Sequence, residues 1–309
     1  MDGKTLKEQL DQLLAEDRST SGWINSKYSF DLLYNAAVAT VSRTRCLTST
    51  QDITTVDGTS GYRLNGDFLK LYLTDDQNRF YVKYYDGTSY SFIYYSSYDS
   101  IYLANNTAET AYPDTFTIKD STALTRYTGT ASAVGAATNG ECTLTDTTAT
   151  FTNVYPGDMV HNTTDGSDGV VIVKTSNTAL ITCLFNGTNN DWTATDAYIV
   201  VPQMRFQLIV DPPSSTSAYT ITVPYIQKPT PVYSDYRAYN LPSGYEDALV
   251  CYAAWKYRYK DREPNFGDAL YRHWDATVRN LGKDFSDASN RKGFRVNMVK
   301  SSSRSWNYK

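Results

Sequence analysis

Apolar and polar residues alternate through the middle of this 309-residue chain, whereas helical spacing is confined to its two ends. From residue 51 to residue 127, strand-like runs lie between turn signals such as Asp57-Gly58 and Asp86-Gly87, which is typical of antiparallel hairpins. The length suits one large domain with an insertion, or two domains. We therefore predict a β section flanked by helices.

Two helices are predicted at each end of the chain. Near the N-terminus, Thr5 and Glu8 form a capping box ahead of a leucine repeat, and a second apolar repeat follows Ser26. Near the C-terminus, one helix starts at a capping box and a second ends at Gly282. The predicted helices cover residues 5–16, 27–43, 244–262 and 266–281.

The first C-terminal helix carries a largely aromatic stripe. The short connection to the next helix makes the two antiparallel neighbours, so that aromatic side chains of both can meet in a seam against the N-terminal helices. The predicted seam residues are Tyr252, Trp255, Tyr259 and Trp274.

Residues 128–201 differ from the rest, with seven acidic residues against a single Lys174 and short strands between Gly- and Asn-rich turns. This pattern predicts a small all-β module. The flanking segments TFTIKD and MRFQLIVDPP would form a hairpin if the module were removed, which predicts an insertion into a surface loop. The prolines of TVPYIQKPTPV favour an edge or exit strand.

The predicted fold class is α+β, a helical bundle of two N-terminal and two C-terminal helices with an antiparallel Tyr-rich β section and an inserted small all-β module. Residues 1–127 and 202–290 form the body, in which 51–127 and 202–232 supply the β section. Residues 291–309 form a basic extended tail.

Tyrosine is unusually abundant, with 27 residues in the chain and 12 of them between Tyr62 and Tyr127. Such a sheet presents aromatic rings on one or both faces. The rings either pair across strands or contact another surface. Both alternatives remain open from the sequence.

The last 19 residues contain six basic residues and no acidic one. Because the whole chain has a net charge of −4, residues 1–290 carry −10, so an acidic body is followed by a basic tail. The tail is also too apolar for a segment that only needs solvation, which predicts that it docks on a partner.

No sequence motif assembles an active site. His161 and His273 are isolated, the turn at Asp165–Gly169 lacks the spacing of a calcium loop, and acidic pairs such as Asp75-Asp76 are expected by chance. We predict no catalytic residue, no cofactor and no metal site. Four scattered cysteines are expected to be free thiols: Cys46, Cys142, Cys183 and Cys251.

The chain contains no apolar stretch of membrane-spanning length, and its first residues lack the apolar core of a signal peptide. We therefore expect a soluble chain without a cleaved leader and without membrane anchoring.

In their order along the chain, several motifs resemble the head-to-tail adaptor proteins of tailed bacteriophages. Each motif alone also describes ordinary caps and strands, so the order carries the resemblance, which covers most of residues 1–290. The 128–201 segment is similar to an accessory β module of phage structural proteins. The motifs are W-x-N-x-x-Y-S-F-D-L-L-Y-N-A-A from Trp23, TVDGTSGYRLNGDFL, P-x-x-F-x-I from Pro113, FQLIVDPP, TVPYIQKPTPV and LP-x-x-Y-x-x-A-L-V-x-Y-A-A from Leu241.

The resemblance implies a structural virion protein rather than an enzyme. Such subunits are made in the host cytoplasm and form a ring, usually twelve-fold, in the neck between the portal protein and the tail. The four helices would form the ring, and tail tube, nozzle or fibre proteins would be further partners. DNA would pass through without sequence-specific binding, and an acidic body suits such a channel because like charge repels phosphate.

The resemblance also implies that the C-terminal extension reaches the portal. In this chain the matching segment is 291–309, where arginines would bind portal carboxylates and aromatic side chains would act as anchors. The candidate docking residues are Arg291, Lys292, Phe294, Arg295, Arg304, Trp306 and Tyr308.

The alternative from another class is a receptor- or carbohydrate-binding tail protein, in which exposed rings such as Tyr84 or Tyr94 stack on sugars. A third alternative, an enzyme that degrades cell-wall polysaccharide, is supported only by the number of carboxylates in the chain. The chain shows no internal repeat of the kind found in long trimeric fibres.

Overall fold

The protein is mostly β. Among the described residues, two curled sheets contain 14 strands and there are five helices, and the structure is 26% helical. The predicted fold class, a helical bundle with a small β module, is therefore wrong. The computed structural model describes residues 2–14, 26–74, 79–80, 82–104, 110, 112–121, 124–242, 244–260 and 267–281.

The larger sheet has eight strands, drawn from both sides of residues 128–201. It curls around its own core, in which Tyr84, Phe116, Leu208 and Val223 are buried. In pairing order its strands are β1 (Thr48–Thr54), β16 (Thr220–Gln227), β6 (Val82–Tyr85), β7 (Tyr90–Tyr95), β8 (Thr115–Asp120), β15 (Phe206–Asp211) and β2 (Gly61–Arg63), with β3 (Phe68–Leu71) also beside β16.

The ends of this sheet, β1 and β2, are joined by one side chain. The Nε2 of Gln51 in β1 donates to the carbonyl of Arg63 in β2 at 3.1 Å, and its Oε1 accepts from the N–H of Asn65 at 2.8 Å. The amide thereby takes the place of a backbone ladder, since it supplies one donor and one acceptor. The curl is thus nearly closed.

The strand with prolines is central, so its predicted edge or exit position is wrong. β16 pairs with β1 on one side and with β6 and then β3 on the other. The carbonyl of Pro224 accepts from the N–H of Tyr72 at 3.2 Å. The nitrogen of Pro224 faces the same side of the strand as its carbonyl, at the point where the partner of β16 changes from β6 to β3. A residue without an N–H is tolerated at this junction.

The predicted pairing of the segments around 128–201 is confirmed, because β8 and β15 are antiparallel with Ile118 opposite Leu208. Between them the chain builds a second, six-stranded sheet with its own core around Trp192. In pairing order its strands are β10 (Cys142–Thr145), β13 (Ala179–Phe185), β12 (Ser167–Lys174), β11 (Met159–Asn162), β14 (Ala197–Val201) and β9 (Tyr127–Thr130), and a separate hairpin joins β4 (Leu73–Thr74) to β5 (Arg79–Phe80).

Four of the five helices form a layer with a core of leucine and alanine side chains, including Leu10, Leu33 and Ala253. The first helix starts earlier than predicted, because Asp2 caps it by accepting from the N–H of Thr5 at 2.9 Å. None of the described helices is long and apolar enough to cross a membrane. The helices are α1 (Gly3–Leu14), α2 (Ser26–Thr44), α3 (Tyr98–Ala104), α4 (Glu246–Lys260) and α5 (267–281).

The six-stranded sheet is held between its own core and this helical layer. Alternate residues of β12 point to opposite sides, so that Val171 lies in the core of the sheet while Val170 and Ile172 contact a cluster around Phe30 of α2 and Tyr233. Both faces of β12 are therefore buried, which explains its nearly continuous run of apolar residues.

A buried ion pair joins the two sheets. The Nη2 of Arg205, just before β15, donates to both carboxylate oxygens of Asp158 at 2.8 and 2.6 Å, and the two side chains are 2% and 1% exposed. The guanidinium also lies 5.1 Å from the ring centroid of Tyr155. That ring covers Gly66, where any Cβ would come within 2.5 Å of it.

The turn that carries Asp158 is tied to its surroundings by further hydrogen bonds. The Asp158 carboxylate accepts from the N–H groups of Tyr155 at 2.9 Å and Gln203 at 3.0 Å. The Nε of Arg205, by contrast, has no hydrogen-bond partner among the described residues. The charge of Arg205 therefore depends on Asp158 for compensation.

We expect Asp158→Asn to lower the free energy of unfolding by about 3–5 kcal/mol, because removing one partner leaves a buried charge uncompensated. Urea unfolding followed by tryptophan fluorescence measures this loss. The matched control is Asp168→Asn, which removes a carboxylate from the exposed pair with His161 and should cost at most about 1 kcal/mol. Equal losses in the two variants would contradict the assigned role of Asp158.

Candidate interaction surface

Three of the four predicted seam residues lie in one aromatic cluster between α4 and α5. The ring centroids of Tyr252 and Trp274 are 4.8 Å apart, and those of Tyr252 and Trp255 are 5.1 Å apart. The indole N–H of Trp274 donates to the hydroxyl of Thr40 in α2 at 3.1 Å, which anchors the cluster to the N-terminal helices. The side chain of Tyr259 lies outside the described residues.

Sequence reasoning missed a fourth member of this cluster, Tyr271. Its ring lies 4.7 Å from Trp255 and 5.3 Å from Trp274, so it bridges the two tryptophans. Its position three residues before Trp274 was the available signal, since residues three apart share a helix face. Tyr271 remains 38% exposed, so the seam reaches the surface.

Four exposed tyrosines occur within nine residues at the end of β7 and in α3. Tyr94, Tyr95, Tyr98 and Tyr102 are 64%, 52%, 42% and 71% exposed. The rings of Tyr98 and Tyr102 stack with centroids 6.1 Å apart, and the ammonium of Lys119 lies 5.4 Å from the Tyr98 centroid. Tyr94 and Tyr95 are consecutive in β7 and therefore point to opposite faces of the sheet, whereas Tyr98 and Tyr102 stack on each other. We call these four residues together the tyrosine surface.

Other tyrosines of this region pair with one another around the turn between β6 and β7. Tyr85 and Tyr90 lie opposite each other across the two strands with ring centroids 4.6 Å apart. The Asp86 carboxylate accepts from the backbone N–H groups of Ser89 and Thr88, which lowers the pKa of Asp86 to about 2. The turn thus stays anionic at neutral pH.

The two tyrosines named for sugar stacking differ in their exposure to solvent. Tyr84 is only 1% exposed, because its side chain belongs to the core of the eight-stranded sheet. It cannot stack on a ligand, and that part of the prediction is wrong. Tyr94 is exposed, as such a role requires.

A cleft of about 440 Å³ lies where the six-stranded sheet meets the segment that leads to α4. Glu141 accepts from Nε and Nη2 of Arg237 at 2.6 and 2.9 Å and from the hydroxyl of Ser234 at 2.6 Å. The hydrogen bond from Arg237 is the main reason why the pKa of Glu141 lies below its usual value. This bidentate pair is a second link between the sheet and the rest of the protein.

The isolated polar candidates from the sequence are not assembled into a site. His161 pairs with Asp168 at 2.6 Å in a partly exposed position, and His273 is exposed on α5. Within the described ranges, no three His, Cys, Asp or Glu residues are grouped so that they could hold a metal ion. Asp75 and Asp76 lie outside the described residues.

The predicted docking residues of the tail, from Arg291 to Tyr308, also lie outside the described residues. No protein-family model matches this chain, and no curated protein matches it either.

We expect Glu141→Gln to be less stable than the wild type by about 1 kcal/mol at pH 7, because a partly exposed charged pair is lost. The folded-state pKa of Glu141 is depressed, so its contribution is present above the unfolded value of 4.5 and is lost as the pH falls through the folded value. Urea unfolding from pH 7 down to pH 3 should therefore show the gap closing below about pH 4.5. A gap that stays constant, or an equal gap for Glu8→Gln on the exposed face of α1, would refute this.

Proposed function

We propose that this protein is a structural virion subunit of a head-to-tail adaptor, which forms a closed ring between the portal protein and the tail of a bacteriophage. The order of the six sequence motifs supports the family. The tyrosine surface supports assembly, and it is the observation that carries the proposal.

Exposed tyrosines in this density are a feature of protein interfaces. Tyrosine supplies a large contact area, and its hydroxyl can still form a hydrogen bond at an interface. The four side chains of the tyrosine surface are each more than 40% exposed in the single chain. A neighbouring subunit would cover the stacked pair Tyr98 and Tyr102 with a different part of its own surface, as a ring requires.

The position of the tyrosine surface also favours a fixed contact. β7 lies within the eight-stranded sheet, between β6 and β8, and α3 contacts β8. Rings held on such a scaffold lose little conformational entropy when a partner covers them. The body that assembles would be the whole chain with its two sheets, since a helical bundle is not its architecture.

The charge distribution supports passage of DNA without retention. The body of residues 1–290 carries a net charge of −10, which disfavours adhesion of the phosphate backbone. The basic segment 291–309 remains the proposed contact with acidic residues of the portal. Twelve subunits are the expected number.

We expect the purified protein, mixed with candidate portal, to form closed rings that are visible by negative-stain imaging and whose mass is measured by light scattering. A truncated chain that ends at residue 290 should bind portal at least tenfold more weakly. A compact species indifferent to portal would refute the adaptor, and undiminished binding by the truncated chain would refute the docking role of the tail.

The double variant Tyr98→Ala, Tyr102→Ala tests the contact between subunits. We expect each truncation to remove about 1–2 kcal/mol of contact free energy, so ring formation should need at least tenfold more protein. Tyr90→Ala is the matched control, because Tyr90 is 67% exposed but lies outside the tyrosine surface. Equal assembly of both variants would show that the tyrosine surface is not a subunit contact.

A further inference from the structure

A groove of about 870 Å³ lies on the outer face of the eight-stranded sheet, away from its buried core. The strand register places Thr222 of β16 opposite Lys83 of β6, and Lys83 opposite Phe92 of β7. Thr50 of β1 lies opposite Pro224 of β16. Thr222, Lys83 and Phe92 thus form one row across three strands, which continues to Asp52 of β1, and Thr50 and Pro224 lie in the neighbouring row on the same face.

The volume falls within the range of about 300–1,000 Å³ that is usual for small-molecule sites. The lining combines three kinds of group. Hydroxyls come from Thr48, Thr50 and Thr222, a cation from Lys83 and aromatic rings from Phe92 and Tyr72.

The polar groups of the groove differ in how available they are for binding a ligand. Lys83 is exposed, and in the described part of the chain it forms no ion pair. The hydroxyl of Thr222 donates to Asp52 at 2.6 Å, so its oxygen still has lone pairs that can accept. Asp52 lies two strands away from Lys83, about 9–10 Å at the usual strand spacing.

Phe92 supplies an apolar platform beside these groups. It is 48% exposed although it is a phenylalanine in a strand, and the pairing of β7 with β6 places it opposite Lys83. The main-chain groups of β16 and β6, at the centre of the groove, are engaged in the ladder on both sides, and the N–H of Tyr72 is bonded to Pro224. A ligand is therefore recognised here by side chains and not by strand addition.

We propose that this groove binds an acidic saccharide. The apolar C–H face of one sugar ring would lie on Phe92, a carboxylate on the sugar would bind the ammonium of Lys83, and sugar hydroxyls would bond to Thr50 and Thr222. The ring of Phe92, the threonine hydroxyls and the ammonium of Lys83 are complementary to this chemistry. The site goes beyond the adaptor role and does not depend on it.

The test uses the full chain on an array of oligosaccharides in which each member with a uronic or sialic acid has a neutral counterpart, followed by titration of the tightest acidic member. We expect an acidic member to bind, and both Phe92→Ala and Lys83→Gln to weaken that binding at least tenfold. Tyr102→Ala is the control, since this exposed aromatic residue does not line the groove. Near-ultraviolet circular dichroism confirms that each variant is folded.

Three results would overturn the proposal: no acidic oligosaccharide binds, the neutral counterparts bind equally well, or both groove variants bind like the wild type. The same variants separate this proposal from the adaptor. Phe92→Ala should weaken saccharide binding at least tenfold and leave ring assembly intact, whereas the double variant at Tyr98 and Tyr102 should weaken assembly and leave saccharide binding intact.

Discussion

The carboxylate of Asp158 and the guanidinium of Arg205 meet where the chain leaves the six-stranded sheet and enters the eight-stranded one. Both side chains are almost fully buried, so neither charge is solvated by water. The geometry of their contact therefore fixes the two sheets relative to each other. The Phe30 cluster and the Glu141–Arg237 pair then hold the six-stranded sheet against the helices and the segment before α4. Two cores and a helical layer become one body.

This rigidity matters for the surfaces that face outward. The tyrosine surface and the groove that contains Lys83 and Phe92 both depend on β7, whose place in the sheet is set by β6 on one side and β8 on the other. β8 in turn pairs with β15, which starts next to Arg205. The same strands therefore connect the buried ion pair to the exposed rings.

Local sequence signals predicted the helices well, but they could not predict which distant strands pair with each other. The structure has helices at Ser26–Thr44 and Glu246–Lys260, close to the expected 27–43 and 244–262. These helices were predictable because helix caps and apolar spacing depend only on residues that are close in the sequence. The strands of the large sheet are short, and β1 pairs with β16, which lies more than 160 residues later in the chain. Short periodic segments do not show such distant pairing, so the sequence pattern underestimates how much of the fold is β-sheet. For the same reason the sequence could not show that Tyr84 is buried or that Thr50, Lys83 and Phe92 share a groove.

We expect the two sheets and the helical layer to unfold as one unit, because a buried charge pair leaves no state in which one sheet is released at low cost. Differential scanning calorimetry of the whole chain tests this most directly. A single transition whose calorimetric enthalpy equals its van't Hoff enthalpy is the predicted result. Two separate transitions, with the six-stranded sheet melting by itself, would show that the buried ion pair does not couple the two sheets.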